Sequence, residues 1–175
     1  MNVQIYNSRG SMKFIQCEKS NSAPPWKLWH FIKWQIPFES NHTGDVVLER
    51  YKLAWVKYNS DRIKHEAKEN NFPSTLLAGV CWKEVGGDLI LTDSLAHLAR
   101  SFNYIGNDYI DSLIGITRRP EKTSFGPVQM QLRVAAKILD VDTNKLDYLK
   151  RNSLGRCLEI DKYNIRLVAK HLREI

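Results

Sequence analysis

The stretch Leu76–Gly87, read LLAGVCWKEVGG, decides how the rest of the chain is understood. Leu77, Val80 and Cys81 stand seven, four and three positions before Glu84, so on a helix they form one apolar stripe with a carboxylate at its end. Ser74, alone or with Thr75, is placed to cap that helix after Pro73, and the Gly86-Gly87 pair offers the left-handed residue that ends one. Glu84 then falls in the last turn, where the negative end of the helix dipole and apolar neighbours both favour the protonated carboxyl. A carboxyl that keeps its proton can serve as a general acid. The plain alternative is a partly exposed Glu in an ion pair at a helix end.

Two downstream stretches bear on that choice. In Ser124–Ala136, SFGPVQMQLRVAA, Pro127 suits the first position of a helix, and Val128, Leu132, Ala135 and Leu139 share one face, which puts Gln129 in the first turn. In Asn164–Leu172, NIRLVAKHL, the residues Ile165, Val168 and Leu172, continued by Ile175, predict a packing face. Taken in order with the Glu84 helix, these stretches resemble the core of the lytic transglycosylase and goose-type lysozyme superfamily. That family carries a Glu ending a helix of the form LLxAIxxxES, then a Gly-x-x-Gln segment that opens a helix and ends in Ala, then an Asn-Ile helix ending in Tyr-Leu. Glu84, then Gly126, Gln129 and Ala135, then Asn164, Ile165 and Leu172 match. Val85 stands where a Ser usually follows the Glu, Val168 replaces a Gly and His171 a Tyr, and the family's later Ala-Tyr-Asn-Ala-Gly motif has no counterpart before Ile175.

The resemblance implies a mainly α, lysozyme-like helical domain with at most a small β element. The resemblance covers roughly the last hundred residues, and the expected single domain over 1–175 takes 1–42 as an N-terminal extension carrying an aromatic segment and 45–175 as the catalytic core. The implied activity is cleavage of the β-1,4 bond between N-acetylmuramic acid and N-acetylglucosamine in peptidoglycan, with Glu84 as the acid. Ser124, Gly126 and Gln129 are the implied substrate-binding residues: the Gln lies in the cleft near the acid, and the Gly lets backbone and substrate approach. Read without the family, Gln129 is a solvated helix residue and Gly126 an ordinary turn. A second carboxylate is sought among Asp88, Asp93, Asp108 and Asp111, with Asp93 and Asp108 put forward, although Asp93 serves equally well as a helix cap. If one of them holds a water on the opposite sugar face, the reaction is an inverting hydrolysis; if none does, the 6-hydroxyl closes a 1,6-anhydro ring as in a lytic transglycosylase. A non-catalytic wall-binding module of the same fold is the remaining alternative. Neither catalytic route calls for a metal or a cofactor.

Composition sets outer bounds. With 175 residues, 43% of them hydrophobic, the chain is long enough for one buried core and too short for two full domains. It has no run of 18 apolar residues, so no membrane span is expected. The start MNVQIYNSRGSMKF lacks the basic, apolar and small-residue sequence of a secretory signal. A chain made in the cytoplasm that acts on the periplasm or cell wall then needs a dedicated export route, as for a phage lysin or an antibacterial toxin; a toxin implies a cognate immunity protein. A net charge of +7 suits an acidic partner such as a wall polymer, a nucleic acid or a membrane surface. Lys and Arg are scattered, clustering only at Arg118-Arg119 and Lys150-Arg151, and no nucleic-acid motif is present, so nucleic acid is not the expected partner. Cys17, Cys81 and Cys157 have no metal-ligand spacing, and Cys81, on the apolar stripe, reads as a buried thiol.

The remaining elements are read from pattern. A strand is conceivable around Val3 to Tyr6. After Pro24-Pro25, WKLWHFIKWQIPF places Trp26 and Trp29 at helical spacing, which predicts core packing in preference to a sugar platform. Asp45 is expected to cap a helix from Val46 to Lys68 through Val47, Tyr51, Ala54, Trp55 and Tyr58, with a break near Asn59-Ser60. A strand at Leu89–Leu91, a helix from Thr92 or Asp93 to Phe102 and a further piece at Tyr109–Ile116 follow. Asp142 or Thr143 is expected to cap a helix through Lys150, Ser153–Gly155 to turn, and Asp161 to cap the last helix.

Overall fold

The computed structural model describes residues 2–6, 11–17, 20–35, 44–86, 124–142 and 146–175. Among these the protein is mainly α-helical, with seven helices and two small antiparallel hairpins. Strands β1 (Asn2–Tyr6) and β2 (Met12–Gln16) pair with Val3 opposite Ile15, so the N-terminal region is more ordered than its polar composition suggests. Helix α1 (Leu28–Gln35) carries the aromatic segment. It buries one Trp and not the other: Trp26, just before the helix, is 3% exposed, whereas Trp29 is 56% exposed with Lys33 Nζ over its ring.

The long helix expected from Val46 divides where Asn59 and Ser60 predicted. Helix α2 (Gly44–Tyr58) and helix α3 (Ser60–Glu69) meet at Asn59, whose φ and ψ of −93° and 10° leave the helical region. Asn59 is fully buried, and its Nδ2 donates to Trp55 O at 3.3 Å, a carbonyl that also accepts from Asn59 N at 3.0 Å, so the side chain folds back on the helix end. Asp45 lies inside α2 and not at its cap. Of the face expected on α2, Trp55 is buried and Tyr51 half-buried, but Ala54 and Tyr58 are exposed.

Helix α4 (Ser74–Glu84) ends where the glycines said it would: Gly86 has φ +86°, and its missing Cβ would meet Leu48 Cδ1 at 2.9 Å. Its start differs from expectation. Pro73 is the capping residue, Ser74 is already helical, and no side chain caps. The fixed φ of proline and its carbonyl, which accepts from Leu76 N, do the positioning instead.

The largest departure falls at Gly126. Pro127 does not open a helix. Strands β3 (Ser124–Phe125) and β4 (Met130–Gln131) form a hairpin whose turn is Gly126–Gln129, and helix α5 (Leu132–Ile138) begins only afterwards. Gly126 at φ +77° and Gln129 at φ +46° are both left-handed, which a right-handed α-helix through these positions does not tolerate. The apolar set Val128, Leu132 and Ala135 is still buried and Leu139 packs on it, so the hydrophobic pattern was right and the backbone between its first two members wrong.

Helix α6 (Tyr148–Leu158) is capped by Asp147, whose Oδ1 accepts from Lys150 N at 2.8 Å, and not by Asp142 or Thr143. It runs straight through Ser153–Gly155. Gly155 is there for closeness, since a Cβ on it would sit 2.7 Å from Phe125 Cε1. Helix α7 (Asp161–Arg173) is buried at Ile165, Leu167, Val168 and Ala169, while Ile175 beyond it is 91% exposed and takes no part in the face. One core joins helices α2 through α7 to Ile15, Cys17 and Ala23 of the N-terminal region. A disulfide between Cys17 and Cys157, spanning 140 residues of sequence, fastens the end of β2 to α6. Cys81 is fully buried, and burial pushes its thiol up to about 12. Among the described residues no helix is long and apolar enough to cross a membrane.

Candidate functional site

Three separated segments converge on one pocket of about 230 Å³: Gly86, just past the end of α4; Gly126, Pro127 and Gln129 of the hairpin turn; and Asp161 at the start of α7. Asn164 on α7 holds the turn. Its Oδ1 accepts from Val128 N at 3.1 Å and its Nδ2 donates to Phe125 O at 3.3 Å, so one buried amide satisfies a backbone group on each side of Gly126. The glycine is required by that clamp. A Cβ at Gly126 would fall 1.9 Å from Leu158 O and 2.7 Å from Asn164 Nδ2.

Of the residues expected to form the site, Gly126 and Gln129 line the pocket. Ser124 lies in β3, opposite Gln131, and leads into the turn without lining it. Glu84 is the last residue of α4, two positions before Gly86, and its side chain is exposed and is not part of the pocket wall. The expected desolvation of Glu84 is therefore corrected among the described residues. The fully buried residues of α4 are Leu77 and Cys81, spaced by four; Val85, just past the helix, is buried as well, while Glu84 between them is exposed. Asp88, Asp93, Asp108 and Asp111 lie outside the described residues.

The structure adds residues that sequence reasoning assigned elsewhere. Asp161, read as a helix cap, caps nothing: Ile160 takes that position. Its Oδ2 accepts from Ala23 N at 2.7 Å and from Asn59 Nδ2 at 2.9 Å, with a further side-chain hydrogen bond from Trp55. Burial dominates over these bonds and over nearby Arg62, and raises the Asp161 carboxyl above the ordinary carboxylate range. The segment Asn21–Trp26 is strapped down around it. Arg62 Nη2 donates to Asn21 O at 2.7 Å, Tyr51 Oη donates to Pro24 O at 3.1 Å, and the Trp26 ring meets Tyr51 edge-on at 4.8 Å. Burial pushes the Tyr51 hydroxyl up to about 12. Ser22, Ala23, Pro25, Trp26, Tyr51 and Trp55 complete the aromatic side of the pocket, and Glu159 also lines it. The sequence offered one signal for this, an Asp three residues before the motif Asn164, but a helix cap accounts for that spacing equally well. Among the described residues no group of three or more His, Cys, Asp or Glu could hold a metal ion.

No protein-family model, curated protein or solved structure matches this chain.

Proposed function

We propose that the protein cleaves the glycan strand of peptidoglycan at the N-acetylmuramic acid–β-1,4–N-acetylglucosamine bond, with Glu84 donating the proton to the leaving oxygen. The observation that carries this reading is that Gly86, just past the Glu84 helix, the Gly126–Gln129 turn and Asp161, at the start of the Asn164 helix, line one pocket, although about 30 to 40 residues separate each from the next. The residue past the Glu84 helix, the turn and the start of the Asn164 helix thus lie around one pocket, which supports reading the three stretches together. Gln129, held left-handed at the pocket edge, is the positioning amide of this reading, and Gly126 the point of close approach.

Proton transfer here needs Glu84 within reach of the glycosidic oxygen, and its exposed position at a helix end leaves the carboxyl open to a polymer lying across the surface. The hydrolytic product, a reducing N-acetylmuramic acid, is proposed over the 1,6-anhydro ring, with the attacking water held by a carboxylate such as Asp93 or Asp108. We further propose a role as an antibacterial wall-degrading toxin or lysin acting in the periplasm or cell wall, with a cognate immunity protein as partner in the toxin case. The Cys17–Cys157 disulfide favours that setting, because such bonds persist in oxidising compartments.

Glu84→Gln tests the mechanism: the amide keeps the shape and has no proton to give, so the variant folds and releases no muropeptides from purified sacculi. Muropeptide release at the wild-type rate overturns it. Mass spectrometry of the wild-type digest before and after borohydride reduction separates the two products, since only the hydrolytic ends are reduced. A second reading, a wall-binding module without catalysis, draws on the exposure of Glu84, and predicts sacculus binding that Glu84→Gln leaves intact together with no cleavage by the wild type.

A further inference from the structure

The strap Ser22–Trp26, which supplies one wall of the pocket, hangs between two unlike attachments. Downstream it enters α1, and the packing of α1 on α2 and the contact of the Trp26 ring with Tyr51 hold it. Upstream it follows the β1–β2 hairpin, where the fastening is covalent: the bond from Cys17 to Cys157, five residues before Ser22. Among the described residues that hairpin is a sheet of two strands, which is marginal by itself in water, and a chain end stays ordered only where something ties it down. The strap has no helix or strand of its own. Hydrogen bonds from Arg62 to Asn21 O, from Ala23 N to Asp161 and from Tyr51 to Pro24 O keep it in place, and the first and last of these are open to solvent.

The far end of the bond is equally close to the pocket. Cys157 precedes Leu158, whose carbonyl lies against Gly126, and Glu159, which lines the cavity. One bond therefore joins the root of the strap to the helix end behind the Gly126 turn. Opening it converts a wall fixed at both ends into a chain terminus fixed at one. We propose that Cys17–Cys157 is a redox latch on the pocket: the strap is docked when the bond is closed and lifts away when it is open. Closure is thiol–disulfide exchange with a small or protein disulfide of an oxidising compartment. The thiolate of one cysteine attacks that disulfide and expels one thiolate; the second cysteine displaces the other from the mixed disulfide. Two protein thiols and one external disulfide become the Cys17–Cys157 bond and two external thiols, which take up the two protons and two electrons the protein gives. Both cysteines are fully buried in the closed form, so a docked strap shields its own bond from reductant. Cys81, free and buried on α4, stands apart from the exchange. As regulation of glycan cleavage the latch rests on the peptidoglycan reading, and it completes the pocket only in an oxidising compartment.

The test is amide hydrogen exchange and muropeptide release on the full-length chain, oxidised with glutathione disulfide or reduced with dithiothreitol without air. The Ala23 amide, which donates to Asp161, is expected to exchange at least about tenfold faster in the reduced protein. The amides of Phe72 and Leu139, which donate to Ala67 O and Ala135 O away from the strap, should exchange within about twofold of their oxidised rates. Release of muropeptides from sacculi should fall with Ala23 protection and return on reoxidation, and Cys17→Ser should match the reduced protein in either buffer. Equal Ala23 protection in the two states overturns the latch. So does loss of protection at Phe72 and Leu139 along with Ala23, since the bond is then a staple of the whole fold, and so does equal muropeptide release from a chain whose strap has lifted. A chain that loses Ala23 protection alone on reduction and cuts sacculi in neither state supports the latch on the pocket and sinks the cleavage reading, so the two fail separately.

Discussion

Replacing Gly126 by Ala should unfold the site from its centre. At φ +77° an alanine pays about 1 kcal/mol of backbone strain before any contact is considered. Its Cβ then lies 1.9 Å from Leu158 O and 2.7 Å from Asn164 Nδ2. The first atom is backbone at the end of α6 and cannot swing aside, so the turn must lift. Lifting it breaks the Asn164 bonds to Val128 N and Phe125 O, each worth about 1 kcal/mol net and more if its partner stays buried. The sum is at least about 3 kcal/mol, or roughly 6–12 °C in melting temperature for a chain of this length. Gly79→Ala is the control. It sits in the middle of α4 with nothing within 4 Å of the added Cβ, and the better helix former should stabilise by about 0.5–1 kcal/mol. Calorimetry of the two variants beside the wild type should therefore give shifts of opposite sign. A Gly126→Ala protein that melts with the wild type would refute the steric account of the turn and the clamp with it.

Gln129→Ala keeps a side chain at the same left-handed backbone position, so it should lower turnover on sacculi while melting within a few degrees of wild type; a large melting loss with normal specific activity would make Gln129 structural. Because burial raises the Asp161 carboxyl, the folded chain keeps a proton that the unfolded chain has released, and stability falls as pH rises from the ordinary carboxylate value through the folded one. Asp161→Asn lacks that slope, so urea midpoints taken across this range should show the stability of the variant minus that of the wild type growing with pH; a constant difference would contradict the assignment. Reducing Cys17–Cys157, which closes a loop of 140 residues, should cost about 2–5 kcal/mol, read as a lower melting temperature in reductant for the wild type and not for Cys17→Ser; identical wild-type melts would count against the bond.

What could be read from the letters alone follows from how local each cause is. The end of α4 was legible because Gly86 acts on its own backbone, and the break at Asn59-Ser60 because two poor helix formers stand together. The caps at Pro73 and Asp147 and the uninterrupted course of α6 through Gly155 were not. Asp, Ser and Gly look alike as caps, turns or close-packing points until the neighbour is known, and for Gly155 that neighbour is Phe125, thirty residues away. The same reason hid the hairpin at Gly126: Pro127 is equally at home opening a helix or following a left-handed glycine in a turn, and the choice is made by Asn164. Asp161 and Trp26 escaped because the pocket is assembled from an N-terminal strap and a C-terminal helix, and no periodicity connects the two ends of a chain.

Asn164 also limits how this protein can change over evolutionary time. Its position must give one donor and one acceptor from a single short side chain, to Phe125 O and Val128 N respectively. Aspartate has no hydrogen to give, serine is too short to span both groups, and glutamine carries an extra methylene into a fully buried site. Gly126 is bound by the same contact, since any side chain there strikes the Asn164 amide. Neither residue has a neutral single step away from its present identity. The turn and the last helix therefore form one inherited unit, and a lineage that lost either residue would have to rebuild both before its descendants folded as well as their ancestor.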